Sequence, residues 1–400
     1  MTRSSPVLLA ACFVAACGTD DAPQTCALEP VWFEVLDVPT DLAAVRLLGD
    51  AAIVQLRDTL ARIEPGGARW QRTFASTIVH DFAVSETAIV LLAEWDGTLP
   101  DDFGCLRPRE LCLVQLDAST GGTVSSKTFP SAFSGHIAMD AAFNLVIAAR
   151  HSSAIDFGGG PIGPGGTLVG LDQVGQHRYS VSLGAELWFH DVAVHQPSNE
   201  VLLAFGTIDA VHVSRFWPNG SSIWDATFSD CGDTTCDIGW VDSDAEGHVY
   251  LGGTSSLVSP EFGANKYLEG AFAVKLTPSG DHVWTRSYTY ENRYTQHEGF
   301  GVNAAGHVIS ARLSRKLLED GSAAMHATRE LTCLSSDGNV LDAREYQNEL
   351  ISEWADFERV KVDVRPDGRF AFAARSAFPV DLGLGVYHGT IVVGVMRATE

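Results

Sequence analysis

Positive charge is scarce in this 400-residue chain, where 27 Lys and Arg face 50 Asp and Glu for a net charge of −23. So acidic a surface offers no footprint for phosphates and is repelled by anionic headgroups, which argues against nucleic acid and against the membrane face as partners. Long apolar runs are missing as well. The stretch Pro6 to Ala16 is eleven residues, too short to span a bilayer, and no other run is longer. Catalytic signatures are absent. There is no Gly-x-Ser-x-Gly elbow, nothing fixes a triad, and no glycine-rich run ends in Gly-Lys-Ser/Thr. The run Gly158 to Gly166 opens no helix and reads as a flexible loop between two strands. The calcium-like start at Asp242, Asp244 and Glu246 fails at its twelfth position, where Gly253 replaces the required Glu. With 50 acids, no glycosidase pair can be nominated.

What the chain does have is a long repeat. A glycine is followed four residues later by an aromatic and four later again by an apolar residue. Gly66-Trp70-Phe74, Gly175-Tyr179-Leu183, Gly220-Trp224-Phe228 and Gly280-Trp284-Tyr288 carry it in full. Gly121-Ser125-Phe129 and Gly338-Asp342-Tyr346 lose only the middle residue. The glycines are 55, 54, 45, 60 and 58 residues apart, the period of one supersecondary unit copied round a ring or along a stack.

Three more short runs precede each such element. In the copy from 235 to 288 they are Ile238–Asp242, His248–Gly252 and Ala271–Leu276, with Val283–Tyr288 as the fourth. Runs of four to six β-branched and aromatic residues, separated by Asp-x-x-Gly and Pro-x-Gly turns, predict antiparallel strands joined by hairpins. Four such strands make a propeller blade. The expected fold is therefore all-β, a seven-bladed β-propeller of four-stranded antiparallel blades. The last copy supplies three strands, and Val31–Leu36 has the spacing of the missing fourth, so this N-terminal strand 31–36 should close the ring and remove a bare sheet edge. Blade limits fall at about 37–74, 75–129, 130–183, 184–228, 229–288, 289–346 and 347–397 plus 31–36, one domain over 31–397.

The copy Val241 to Gly253, with Phe272–Leu276 and Gly280–Trp284, resembles the bacterial secreted seven-bladed β-propeller repeat, as does Asp156–Gly160 before Gly170–Gly175. The resemblance covers roughly 31 to 397. It implies a surface or secreted propeller and carries no common catalytic residues. The front end fits that setting. Arg3 precedes the eleven-residue apolar run, as in a signal peptide over 1–16, and Val14-Ala15-Ala16-Cys17 resembles the bacterial lipobox. That resemblance implies a lipidated Cys17, a tether over 17–30 and a lipid anchor in the bacterial cell envelope as the one contact with membrane. Ordinary secretion with a coincidental Cys is the alternative.

Eight cysteines are present. Cys12 leaves with the signal and Cys17 is claimed by lipid, which leaves six in an oxidising compartment where fifteen pairings are open. Cys105 with Cys112 and Cys231 with Cys236 are near enough in sequence to staple local loops; Cys26 and Cys333 then pair with each other or stay free.

One constellation repeats near the start of each first strand: Asp41, His80 with Asp81, His136, His190 with Asp191, Asp237, His297 with Glu298, and Glu358. In a propeller these positions open on one mouth of the central channel. Imidazole and carboxylate together suit a divalent metal; a repeated acid also suits a repeated structural bond to backbone. Trp188, just before His190, is the aromatic best placed for ligand contact, whereas Trp32, Trp70, Trp224 and Trp284 share an outer-strand position and read as packing. No cofactor is otherwise implied. The functional expectation is a monomeric binding or scaffold module for an envelope protein or glycan. The alternative is an envelope enzyme acting on polysaccharide, with the acid and His residues of the mouth as its site.

Overall fold

The computed structural model describes residues 26–36, 42–74, 77–95, 97, 103, 110–130, 132–185, 187–228, 236–255, 270–288, 293–317, 325–351, 360–375, 380–381, 386–387 and 391–399. These residues form seven four-stranded antiparallel sheets and two small two-stranded ladders, with no helix among the described residues. The protein is a seven-bladed β-propeller. The innermost strands of blades one to seven are Leu42–Leu48, Thr77–Val84, Ala132–Met139, Trp188–His195, Cys236–Ser243, Arg293–Val302 and Val360–Val364. Each packs on the innermost strand of the next blade, and the seventh packs back on the first.

Strands enclosed on both faces are largely apolar, with single buried polar residues such as Gln55, Glu200 and Lys275. Ala51–Leu56, Glu200–Gly206 and Gly270–Leu276 are buried at every position. The core lies between blades: Ile53 and Leu60 of blade one meet Phe82, Leu91 and Val114 of blade two. Each fully buried Leu or Phe there contributes about 1.5–3 kcal/mol.

Closure is by the N-terminal strand. Ala27–Leu36 pairs antiparallel with Ile391–Thr399, with Trp32 opposite Val395 and Leu36 opposite Ile391. This strand starts four residues before the expected Val31, so it takes in the end of the segment read as tether. Pro30, which has no N–H to give, stands opposite Met396, and the register shifts just after it, leaving Val31 without a partner in the register. Leu28 is fully buried ahead of that shift. Cys26 is disulfide-bonded to Cys333 of blade six across 307 residues of sequence, one of the two outcomes left open. Cys112 is also disulfide-bonded. Its expected partner Cys105 lies outside the described residues, as do Cys231 and the side chain of Cys236. The glycine run of blade three is more ordered than a flexible loop. Ile155–Asp156 pairs with Pro161–Ile162, and Asp156 Oδ1 accepts the N–H of Gly158 and Gly160 at 2.7 and 2.9 Å.

The glycine–aromatic repeat is a lock between neighbours. The glycine sits in the turn between third and fourth strands at positive φ, for example 71° at Gly121 and 90° at Gly280. The aromatic of one blade lies on the glycine of the next: Trp70 on Gly121, Tyr179 on Gly220, Trp224 on Gly280, Trp284 on Gly338. A Cβ on Gly121, Gly280 or Gly338 would lie 2.8, 3.1 or 3.1 Å from the ring, so the residue beneath must be glycine. Each indole also donates Nε1–H across the junction, from Trp70 to the Ala118 carbonyl (3.1 Å), from Trp224 to Pro278 (2.8 Å) and from Trp284 to Ser336 (2.8 Å). Trp32 of blade seven differs. It is buried and donates to the Asp50 carbonyl at 3.0 Å, in the first turn of blade one, while the neighbouring Glu34 Oε1 takes the N–H of Gly66 at 2.6 Å.

Candidate functional site

Two places hold groups that could act on another molecule: the channel wall and a cavity between blades. On the wall, Asp81, His136 and Asp191 stand at one level of blades two, three and four. Arg46, Asp242 and Asp363 stand two residues further along the strands of blades one, five and seven. The acids staple blade to blade. Asp191 Oδ1 accepts Val192 N–H and its Oδ2 accepts Val241 N–H in the next blade, both at 2.9 Å. Asp242 does the same with Ser243 and Val302, both at 2.8 Å. Asp81 does so with Phe82 at 2.8 Å and Ile137 at 3.1 Å, and Asp363 Oδ2 takes Leu47 N–H at 2.7 Å.

One cation serves several of these acids. Arg46 Nη2 is 3.0 Å from Asp81 Oδ1, and its Nε is 3.9 Å from Asp363 Oδ1. His136 Nδ1 lies 3.7 Å from Asp81 Oδ2. Burial raises the Asp81 carboxyl, but Arg46, His136 and the Ile137 N–H outweigh it, and its pKa ends below the usual value. Burial opposes the charge on His136, yet the hydrogen bond and charge of Asp81 raise it overall. Asp191 and Asp242 lack so close a cation. Burial pushes Asp191 up to about 6 and Asp242 up to about 7.

The other sequence candidates do not join that level. His80 occupies a bulge, its Nε2 3.1 Å from Glu94 Oε2. His190 occupies the matching bulge of blade four, beside Gly206. Trp188 is exposed, with the Arg150 guanidinium 6.0 Å from its ring centre. His297 is buried among Trp240, Tyr288 and Phe300, with Nδ1 3.0 Å from Ser310 Oγ, and burial drops its pKa to about 3. Glu298 is buried against Arg329 at 3.4 Å. The physical reason is strand alternation, which points neighbours in sequence to opposite faces, together with the bulges that leave His80, His190 and Glu298 out of the ladder register. Asp41, Glu358 and the side chain of Asp237 lie outside the described residues. Among the described residues, no three His, Cys, Asp or Glu side chains converge in a way that could hold a metal ion. Asp244, in the calcium-like turn, accepts hydrogen bonds from His248, Tyr250 and the turn amides. Arg46 and Asp363 escaped the sequence reading, and Asp242 entered it only as the start of the calcium-like turn, not as a channel residue. Their signal was a charged residue inside an apolar run, two places nearer the hairpin turn.

The second place is a cavity of about 330 Å³ between blades two and three, among Ser125, Lys127, Val90, Leu145, Phe143 and Gly175. Among the described residues its lining contains one cation, Lys127, and no carboxylate, imidazole or thiol.

No protein-family model matches the sequence, and no curated protein matches it. Solved structures are similar in fold. The WD40 domain of Neurospora crassa Pan2 matches with a TM-score of 0.55 at 8% identity, over 93% of this chain and 96% of that one. Prolyl oligopeptidase B from Galerina marginata matches with 0.51 at 11% identity, over 88% of this chain and 51% of that one. At such identities the likeness concerns the fold alone.

Proposed function

We propose that this propeller is a monomeric, lipid-anchored binding module of the bacterial cell envelope, holding a polypeptide or glycan partner and doing no chemistry of its own. The observation that carries this reading is the chemistry of the cavity: it is roomy enough for a ligand, its one amine, Lys127, is bonded to the Gly175 carbonyl, and among the described residues no carboxylate, imidazole or thiol lines it to activate the hydroxyls there. The channel acids support the same reading, because each already accepts backbone N–H groups. The anchor would be lipid on Cys17, with the segment from there to Cys26 as the tether. Strand order alternates direction, so the closing strand starts at the face that carries the hairpin turns, and the opposite mouth would face away from the membrane.

A second reading rests on Asp191 and Asp242, whose pKa values of about 6 and about 7 suit a general acid in an envelope polysaccharide hydrolase. One experiment separates the two. Mature protein is applied to glycan and peptide arrays, and envelope polysaccharide is assayed for new reducing ends. Saturable binding without turnover supports the module. Turnover that D191N or D242N abolishes overturns it. For the anchor, mass spectrometry should find diacylglycerol on Cys17, and C17S should leave the membrane fraction; unmodified Cys17 in membrane-bound protein would contradict it.

A further inference from the structure

Two departures from the repeat meet at the cavity between blades two and three. The first is Ser125. It stands where other blades carry the locking aromatic, and its hydroxyl is 3.2 Å from Gln115 Oε1 in its own sheet. The glycine it should cover, Gly175, keeps the positive φ of its equivalents, 78°, and has nothing within 4 Å of where a Cβ would lie. The rest of the lock persists. Lys127 donates to the Gly175 carbonyl at 2.8 Å, as Arg72 does to Gly121 at 2.9 Å and Arg286 to Gly338 at 2.8 Å. The blades are therefore seated as elsewhere, and the missing ring leaves the opening.

The second departure is Phe143. In the first hairpin turn, blades five, six and seven place Gly247, Gly306 and Gly368 at φ of 82°, 79° and 80°. Blade three places Phe143 there at φ 63°, a left-handed conformation that strains a bulky side chain. Phe143 stays 42% exposed at the lip of the cavity, and Val174, which lines the same cavity, is 70% exposed. A strained aromatic held out to solvent, where glycine serves in three other blades, points to contact with something outside the chain.

We propose that this cleft receives a tryptophan side chain of a partner polypeptide. Its ring rests on Gly175, its N–H is directed to the Gln173 carbonyl, and its flanking residues lie against Phe143 and Val174. The proposal deepens the binding role proposed above and rests on it. Indole is the chemistry that the same slot takes at three other junctions, where its N–H reaches the carbonyl two or three residues before the glycine. Gln173 is the equivalent of Pro278 and Ser336. A polypeptide is favoured over a free aromatic molecule because Phe143 and Val174 extend the apolar surface past what one ring covers.

The test is a ¹⁹F titration of a hexapeptide carrying one 5-fluorotryptophan against mature wild type, S125W and F143N. Saturable binding is expected to wild type, weakened at least tenfold by S125W, whose own indole fills the slot. F143N should weaken binding severalfold while raising Tm, since Asn tolerates the left-handed conformation. If S125W does not fold, F143N decides. Equal binding by wild type and variants, or no saturable binding to wild type, overturns the slot. N-acetyltryptophanamide binding as tightly as the peptide overturns the polypeptide as occupant. Array partners that bind S125W as well as wild type would remove the slot and leave the binding role standing, so the two failures are distinguishable.

Discussion

Between blades six and seven the locking position is Asp342, and its Oδ2 accepts the N–H of Leu28 at 3.0 Å. Between blades two and three it is Ser125, bonded within its own sheet, and the facing Gly175 has no ring over its Cβ position. Both copies lost the aromatic, for different physical reasons. The third and fourth strands of blade seven come from opposite ends of the chain, so no turn glycine joins them for a ring to rest on. A carboxylate that catches the Leu28 amide of the closing strand is the better residue there. Blade three keeps its turn glycine and the cation reaching it, so losing the ring opens a cavity instead. The same departure from a repeat serves closure at one junction and leaves a cavity at the other.

Removing the strand held by Asp342 should have the largest effect. Deleting 27–36 exposes the edge of Ile391–Thr399, and the variant is expected to aggregate in size-exclusion chromatography; a soluble monomer with unchanged melting would break the closure argument. Next comes W224S, which copies the Ser125 arrangement into an intact junction. It should cost about 2 kcal/mol in urea titration, less than a core Trp because the ring is partly exposed. No loss would show that the ring is ornamental and that Ser125 signifies nothing. D342A should cost about 1 kcal/mol by leaving the Leu28 N–H without its acceptor.

The channel makes a prediction of another kind, in its response to pH. Asp191 at about 6 and Asp242 at about 7 hold protons in the folded state that the unfolded chain releases near pH 4. Their contribution is full at the acid end and is lost as pH rises through the folded values. His136, raised by Asp81, changes in the same direction. Asp81 is lowered, so its contribution is lost only on acidification below the ordinary carboxylate range. Tm should therefore fall by ~4 °C from pH 5 to pH 8, and D242N should flatten the slope. A Tm rising over that range would contradict the assignment.

The fold was legible because glycine and tryptophan recur at a fixed spacing that few other arrangements need. What one sequence could not show is that each ring meets the glycine of the following copy rather than its own. That pairing turns Ser125 from a faded repeat into an opening. Phe143 was visible too, had Asp140 to Phe143 been set against Asp244 to Gly247. In the channel, Asp81, His136 and Asp191 shared a register readable from the hairpins. Arg46, Asp242 and Asp363 did not, because alternation along a strand brings every second residue to the wall and the search stopped at the first.

The most direct test of ring-on-glycine locking is a crystal structure of S125W. The introduced indole should lie flat on Gly175 with Nε1 about 3 Å from the Gln173 carbonyl, filling the cavity as Trp224 and Trp284 fill theirs. An indole turned out to solvent over an unchanged cavity would contradict the account.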